Sequence, residues 1–335
     1  MVLDDLMLEY EVETLPHTLV VDANKDRDGR LSDVVIQEGR GRRRLHGKAF
    51  VDCSGDCALA FHAGASTRYG NHGALNLGSL ATRFGGIAPT ANPTAKMWHD
   101  AIVGAKLESP ELQKLLRKNQ SVLIRLPLSG DIVAFLASAA YDASISSSIT
   151  AAEISGRRQA QEYLRILKTL PGHDNIYLVS TGPNFGTRES RHINAVYQLT
   201  GDDILSGREF EDNIALGAWG FEFHDENNPN WESTFKIPPS LPFQIPLRSL
   251  QSIDTENLLA AGRCVDGDQL AGSAIRVMGT ALATGQAAGV TAVMLATVQS
   301  GETWSTIGVQ NCLNKYGALL NPGALPGPFE VDKAI

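Results

Sequence analysis

Two arginines, Arg188 and Arg191, follow closely after a glycine-containing loop at residues 181–186. A guanidinium group can donate two parallel hydrogen bonds, so this spacing predicts a site for a carboxylate or a carbonyl group. Ordinary salt bridges are the alternative, because acidic residues are close by in the sequence. The candidate partners for such pairing are Glu189, Asp202 and Asp203. Spacing alone does not separate the two interpretations.

A histidine followed directly by a carboxylate, His224–Asp225, is the second candidate for chemistry. Such a pair can serve as an acid and base that exchange protons with a substrate. The surrounding residues 220–226 are typical of a polar turn, in which a purely structural histidine is the commoner case. His224 is therefore a catalytic candidate with a structural alternative.

A carboxylate-rich corner follows the short apolar strand predicted at residues 49–51, and a helix is predicted directly after it, at residues 57–63. A carboxylate at a strand end, a glycine turn and a helix start can together face a ligand. The alternative is an ordinary helix N-cap with an acidic residue near the helix dipole. The corner consists of Asp52, Cys53, Ser54, Gly55 and Asp56.

A second corner of the same kind lies within residues 249–295, and the rest of the chain is organised around it. A buried strand at residues 257–261 leads into a tight turn at Gly262 and Arg263, and a polar loop extends to Ser273. In an open α/β sheet, such a strand–turn–helix arrangement presents amide N–H groups to a phosphate or another polar ligand.

Residues 277–301 contain no charged side chain, which fits either a membrane span or a helix buried in an α/β protein. The segment is rich in Ala, Gly and Thr, so its mean apolarity is low for lipid, and we predict a buried helix and no membrane association. Ala281, Gly285 and Gly289 recur every fourth residue and share one helix face. We expect this face, which lacks bulk, to pack against a sheet or a ligand.

The composition of the 335-residue chain, with 43% hydrophobic and 20% charged residues, is typical of a soluble protein with a sizeable core. Acidic residues outnumber basic ones by 37 to 29, a net charge of −8, so nucleic acid is not an expected partner. The absence of an apolar leader predicts a cytoplasmic location. The cysteines are too scattered for a disulfide scaffold or a zinc site and are expected to be buried reduced thiols, without a metal. They are Cys53, Cys57, Cys264 and Cys312.

Other segments supply the elements that must position these residues. An amphipathic helix is predicted at residues 2–9, before a β-meander. The extended segments of the meander are residues 12–15, 19–23, 33–37 and 43–46. Further predicted strands are residues 79–84, 176–180 and 243–250. Predicted helices are residues 110–118 and 151–168, two short pieces within 202–217, and a short one after residue 300 that begins a surface-wrapping tail.

Several motifs occur together in one order between residue 2 and about residue 296. They are Phe50–Asp56, Arg188–Arg191, His224–Asp225, Ile245–Leu250, Asn257–Arg263 and Ile275–Met278. Their order and spacing resemble those of the FAD-dependent oxidoreductases of the glutathione-reductase-like fold, a family that includes relatives labelled xanthan lyase. The chain departs from the family pattern at His192, Leu247 and Gly279, where arginine, tyrosine and proline are usual.

The resemblance implies an α/β fold: a partial FAD/NAD(P)-binding domain, Rossmann-like and three-layered, with an inserted α+β substrate domain. The cofactor domain would be discontinuous, and the chain would divide into residues 1–68 and 249–299, the insert 69–248 and the tail 300–335. The implied activity is hydride transfer from a small organic substrate to the flavin of FAD.

The resemblance also assigns residues to roles. Arg188 and Arg191 would lie toward the flavin ring and the substrate, with His224 as a further catalytic candidate. The two corners would bind FAD. Their implied cofactor-binding residues are Asp52, Ser54, Gly55 and Asp56 at the first corner, and Gly262, Arg263, Ser273, Arg276 and Val277 at the second.

Family members begin with a βαβ unit that carries the glycine fingerprint G-x-G-x-x-G, and we expect this chain to lack it. The nearest match, Gly39–Gly41, has Arg44 in place of the third glycine. The fingerprint normally anchors the pyrophosphate and the ribose, so a truncated site with weakened FAD binding is predicted. Two functions stay open: an active oxidoreductase, or an inactive remnant that serves as a binding or partner subunit. A homo-oligomer, or a second chain that supplies the missing unit, is a further possibility.

Overall fold

The computed structural model of the protein describes residues 2–71, 75–224, 233–297 and 304–324. Helices and strands are mixed along the chain, as predicted for an α/β protein. The described helices are α1 (Val2–Glu9), α2 (Ala58–His62), α3 (Ala95–Glu108), α4 (Pro110–Leu115), α5 (Ser146–Leu167), α6 (Gly201–Ser206), α7 (Gln269–Ile275), α8 (Met278–Thr297) and α9 (Thr306–Lys315). The described strands are β1 (Leu19–Lys25), β2 (Leu31–Glu38), β3 (Gly41–His46), β4 (Phe50–Asp52), β5 (Thr67–Tyr69), β6 (Gly78–Gly85), β7 (Leu123–Arg125), β8 (Ile132–Ala139), β9 (Tyr177–Thr181), β10 (Arg191–Ile193), β11 (Asn213–Gly217), β12 (Phe221–His224), β13 (Ser233–Lys236), β14 (Phe243–Pro246) and β15 (Leu258–Ala260).

The predicted meander is the three-stranded antiparallel sheet β1–β2–β3. Its first turn closes on Asp26, whose carboxylate accepts hydrogen bonds from the backbone N–H groups of Asp28 and Arg30. Gly29 occupies the left-handed region of this turn, at φ 79°, which glycine adopts without strain. The remaining predicted extended segment, residues 12–15, forms no strand, so this part of the prediction is wrong.

Strands β4 and β15 pair in parallel, with Phe50 opposite Leu258 and Asp52 opposite Ala260. Alternate side chains of a strand point to opposite faces, and this short pair accordingly separates two apolar clusters. Leu258 and Ala260 pack with α2 and the meander, whereas Leu259 packs with α8 and α9. The parallel pairing places the carboxyl ends of both strands, and hence the two corners that follow them, side by side.

The middle of the chain forms a four-stranded antiparallel sheet of order β7–β8–β6–β9, with α3 and α5 packed against it. The large side chains Phe84, Trp98 and Tyr163 are fully buried between the sheet and the helices. Trp98 Nε1 donates to His173 Nε2 at 3.2 Å, which satisfies the indole N–H in the core. The predicted helix at residues 151–168 is confirmed as α5, whereas α3, α7 and β8 were not predicted.

Three two-stranded antiparallel sheets complete the described part: β5 with β10, β11 with β14, and β12 with β13. Two predictions are wrong here. Residues 213–217 form strand β11 and not a helical piece, and His224 ends strand β12 and does not lie in a polar turn. Asp225 lies outside the described residues.

Helix α8 is buried on one side only, and it is the one described helix long and apolar enough to cross a membrane by length and composition. The buried residues include Thr284, Ala287, Ala288 and Thr291, whereas Gly289 is exposed. The predicted small-residue face is therefore not the face that packs into the core, and its predicted contact with a ligand stays a prediction. Helix α9 follows and inserts Val309 and Leu313 into the same core, so the prediction that it merely wraps the surface is wrong.

Candidate functional site

The first corner is shaped by Asp52 at the end of β4. Its buried carboxylate accepts hydrogen bonds from Ser54 N at 3.0 Å, Ser54 Oγ at 2.7 Å and Ala60 N at 2.9 Å. Ser54 Oγ in turn accepts from Ala58 N at 2.9 Å. Asp52 and Ser54 thus satisfy N–H groups in the first turn of α2 that would otherwise lack partners. The N-cap residue itself, Cys57, makes no side-chain capping bond, so the ordinary N-cap alternative is wrong in detail: Asp52 and Ser54 supply the acceptors and fix the shape of the turn.

The second corner contacts the first through a glycine and an arginine. Gly55 lies in the left-handed region, at φ 81°, and a Cβ atom built on it would lie only 2.2 Å from Arg263 Nη2. Only glycine therefore lets the Arg263 guanidinium rest on this turn. The backbone links the corners as well, since Ala261 N donates to Asp52 O at 3.1 Å.

One groove of about 360 Å³ runs between the two corners. Its lining includes five residues predicted to bind a cofactor: Ser54, Gly55, Gly262, Arg263 and Arg276. The other lining residues are Cys53, Ala261, Met278 and Ala281. Residues far apart in the sequence, from both predicted corners, thus share one open space at the ends of parallel strands.

Four other predicted cofactor residues occupy different positions. Asp52 and Ser273 are buried, and the Ser273 hydroxyl donates to Leu270 O at 2.7 Å within α7. Asp56 accepts a hydrogen bond from Ser190 Oγ, which ties the first corner to the chain before β10. Val277 lies between α7 and α8, where its carbonyl accepts from Ala281 N. None of these four residues is among those that line the groove.

Arg188 is half-buried, and its Nη1 donates to Leu77 O and to Ser79 Oγ. Two of its three predicted salt-bridge partners are engaged elsewhere: Glu189 pairs with His192 at 3.2 Å and Asp203 with Arg208 at 2.9 Å. Burial, together with nearby Arg276, lowers the pKa of Arg188 to about 10. Arg188 therefore stays charged at neutral pH without a carboxylate partner among the described residues.

Arg191 is placed apart from Arg188, although only two residues separate them. It lies on β10 with its guanidinium carbon 4.2 Å from the centre of the Phe61 ring and 5.8 Å from that of Tyr69. These are cation–π contacts, which stabilise a partly exposed arginine. The described contacts of the two arginines have no residue in common, so the structure does not bring them together.

His224 is 3% exposed and lies in a cluster with Glu222 and Arg276. Its Nε2 is 3.2 Å from Glu222 Oε1, and Arg276 Nη2 contacts the other Glu222 oxygen at 3.4 Å. The bond from His224, together with Arg276, lowers the pKa of Glu222 to about 2 against the effect of burial. Burial, with Arg188 and Lys118 nearby, lowers the pKa of His224 to about 3.

These two pKa values fix the tautomer of the imidazole. Near neutral pH Glu222 is ionised and His224 is neutral, so Nε2–H must donate to the carboxylate. The proton-free Nδ1 is buried and has no hydrogen-bond partner among the described residues. Nδ1 is therefore oriented to accept a hydrogen bond from a ligand, while the lowered pKa makes this imidazole a weak base at neutral pH.

The sequence reasoning missed Glu222 and Lys118. Glu222 precedes His224 by two residues on β12, and such residues share a strand face, so a correct strand prediction would have paired them. Lys118 follows α4, is 5% exposed and donates from Nζ only a long bond of 3.4 Å, to Phe135 O. Burial, with Arg188 nearby, lowers its pKa to about 7. Nothing in the local sequence marks this lysine as buried.

A third cluster contains Asp52, Cys57 and Cys264, whose donor atoms lie within 4.8 Å of one another. Cys57 N donates to Cys264 Sγ at 3.3 Å, and Cys264 Sγ donates to Asp52 Oδ1 at 3.8 Å. The hydrogen bond with Cys264 and burial raise the pKa of the Cys57 thiol. The prediction of buried thiols is confirmed for these two cysteines but wrong for Cys53, which is exposed.

The protein is thus an α/β protein with two strand-to-helix corners around one groove and a buried cluster of ionisable residues nearby. The family model for FAD dependent oxidoreductases matches residues 1–312, and the chain belongs to that family. No curated protein matches the chain.

The residues of the groove fit FAD. Gly55 and Gly262 have no side chain and so leave room beside the backbone for a ligand. Both also have positive φ, so a Cβ atom at either position would strain the backbone. Arg263 Nε and Arg276 Nε are buried without a hydrogen-bond partner among the described residues. Buried donors of this kind are costly unless a ligand or water pairs with them, and FAD carries oxygen atoms that can do so.

Proposed function

We propose that the protein is an oxidoreductase that binds FAD in the groove between the two corners and transfers a hydride from a small organic substrate to the flavin. The observation that carries the proposal is the groove itself, which residues of both corners line together. Family membership supports the same cofactor.

Each residue has a role in this proposal. Ser54, Gly55, Gly262, Arg263 and Arg276 would hold FAD, which when bound supplies the hydride acceptor. His224 Nδ1 would accept a hydrogen bond from the substrate and so orient it, and Glu222 keeps that nitrogen free by fixing the other one. Arg188 would stabilise negative charge on the substrate, because it is half-buried and lacks a carboxylate partner among the described residues.

A comparison of two glycines tests the cofactor site. Gly55 and Gly64 both flank α2 with positive φ, 81° and 62°, but only Gly55 has the Arg263 guanidinium against it, whereas nothing lies near Gly64. Gly55→Ala should therefore displace Arg263 and lower FAD affinity at least tenfold, equivalent to about 1.4 kcal/mol. Gly64→Ala carries similar backbone strain and should leave FAD affinity unchanged.

The measurement is flavin fluorescence quenching as FAD is added to the purified full chain, followed by the flavin absorbance that remains after gel filtration. Wild-type protein that takes up no FAD would refute the proposal. Equal affinities of the two alanine variants would show that FAD does not occupy the groove beside Gly55.

A second function, a partner subunit without activity, is favoured by one observation. Apolar side chains are exposed on α1 and on α8, a pattern common where another protein packs. They include Val2, Leu3, Leu8, Met278, Leu282 and Val293. In that case Arg276→Ala and Asp56→Ala would leave every ligand affinity unchanged, and sedimentation would show a self-associated protein or a stable complex.

A further inference from the structure

Four buried or partly buried cations lie near one another beside the groove: Lys118, Arg188, Arg263 and Arg276, here called the cation cluster. Arg188, Arg263 and Arg276 line a small enclosed cavity of about 10 Å³, which is space for one water-sized group. Arg263 and Arg276 also line the groove. The small cavity therefore adjoins the place proposed for the cofactor.

The charge of the cluster is not balanced by the described residues. Arg276 is the one member with a carboxylate partner among them, Glu222 at 3.4 Å. The nearby Glu189 adds a second negative charge, but its oxygens are hydrogen-bonded to Asn71, Asn76 and His192, so four cations face two carboxylates among the described residues. Buried charges without partners are strongly unfavourable, so an arrangement with this excess of cations is suited to an anion.

We propose that the cation cluster binds the carboxylate of the substrate, so that the protein acts on organic acids; this rests on the proposed function of the same site. Arg188, which lines the enclosed cavity but not the groove, and Lys118, whose Nζ makes a single long hydrogen bond, supply donors for the carboxylate oxygens. The rest of the acid would extend into the groove, which adjoins the cavity at Arg263 and Arg276.

The geometry favours a carboxylate over a phosphate. The enclosed cavity has room for one oxygen-sized group, so one carboxylate oxygen would occupy it and the second would face the adjoining groove, whereas a phosphate would bring two further oxygens to the same opening. The ionised Glu222 next to Arg276 would repel a dianion more strongly than a monoanion. Planar guanidinium groups match planar carboxylates through paired hydrogen bonds.

A variant of Lys118 can distinguish anion binding from a purely structural role of this residue. It is buried beside Arg188 and Arg276 with a single long hydrogen bond, so its charge destabilises the fold in the absence of an anion. Lys118→Met keeps the chain length and apolar stem but removes the charge. This variant should therefore raise the thermal midpoint and at the same time weaken carboxylate binding, whereas loss of a structural lysine would lower the midpoint.

The test is calorimetric titration of the full chain, with and without added FAD, using butyrate and its neutral isostere butyramide. Wild-type protein should bind butyrate at least tenfold more tightly than butyramide, and Lys118→Met should remove most of that preference. At about pH 8, where Lys118 is mostly neutral, butyrate binding should be accompanied by proton uptake that disappears in Lys118→Met. Titrations in two buffers of different ionisation enthalpy measure that proton.

Arg165→Gln is the matched control, since it removes one positive charge from an exposed position on α5 and should leave butyrate binding unchanged. Equal or absent binding of the two probes would overturn the proposal, as would unchanged butyrate affinity in Lys118→Met. The titration without FAD tests the carboxylate site independently of the proposed cofactor site. Failure to bind FAD refutes the proposed cofactor, while a lost preference for butyrate refutes the carboxylate site alone.

Discussion

Lys118 shows how a single buried charge sets a dependence of stability on pH. The folded protein holds its pKa at about 7, whereas the ordinary value is 10.5. Between these two pH values the unfolded chain binds more protons at this residue than the folded chain does. The contribution of Lys118 to stability therefore rises as pH increases from about 7 to 10.5, and it is constant and unfavourable below pH 7.

We expect the stability difference between Lys118→Met and wild type to follow this curve. The variant should be the more stable protein at pH 7 and below, and its advantage should shrink by up to about 1.4 kcal/mol per pH unit as pH rises. Urea denaturation at a series of pH values measures the difference. Lys96→Met, at an exposed lysine on α3, should give a difference that does not vary with pH. A flat difference for Lys118→Met would contradict the assigned pKa.

The residues of the site also show what sequence patterns can and cannot give. The turn around Gly55 and the turn at Gly262 could be predicted, because a short apolar strand, a glycine and a helix start are local signals. Lys118 could not be predicted, since its burial depends on the packing of β8 and on arginines distant in sequence. Arg188 and Arg191 are neighbours in sequence, yet β10 begins at Arg191 and turns its side chain toward Phe61.

At the scale of elements, Asn257 holds the central strand pair to the meander. Its side chain is 1% exposed, accepts from Leu31 N at 2.9 Å, and donates to Leu31 O and Lys48 O at 2.8 and 2.9 Å. Three backbone groups from outside β15 thus depend on one amide. The sequence placed Asn257 at the start of a predicted strand and of a motif, but nothing in it predicted these hydrogen bonds.

Asn257→Ala should lower the free energy of unfolding by at least about 2 kcal/mol, because buried backbone groups left without partners cost about 1–3 kcal/mol each. Asn314→Ala, at an exposed position of α9, should change it by less than about 0.5 kcal/mol. Denaturant unfolding of both variants measures these changes. A loss below 1 kcal/mol in Asn257→Ala would show that water replaces the amide and that this link is weak.

Helix α8 shows why the packed face of a helix is hard to predict from small residues. The glycines at every fourth position suggested the contact face, but the helix packs through Thr280, Thr284 and Thr291. The hydroxyls of Thr284 and Thr291 donate to carbonyls four residues earlier, which hides their polarity inside the helix. Thr284 Oγ1 also accepts from Gly262 N at 3.2 Å, so the threonine face supports the second corner.

At the scale of the whole molecule, the two corners form one unit only while β4 and β15 stay paired. Cys57 and Cys264 are fully buried between the corners, whereas Cys53 is exposed at the lining of the groove. The rates at which these thiols react with a reagent therefore measure two separate events. Cys53 reports access to the groove, and the buried pair reports separation of the corners.

We expect a thiol reagent to modify Cys53 in the folded protein and to reach Cys57 and Cys264 only when the structure opens. FAD binds the folded state alone in the proposed mechanism, so FAD at about a hundred times its Kd should add about 2.7 kcal/mol to the opening free energy. Labelling of the buried pair should then slow by about a hundredfold, and Cys53 should be shielded directly. Mass spectrometry of labelled peptides over time measures each cysteine, with the partly buried Cys312 on α9 as the internal comparison. Labelling of Cys57 at the rate of Cys53 would show that the corners separate without unfolding, and a groove formed by both would then be too mobile to hold an elongated cofactor.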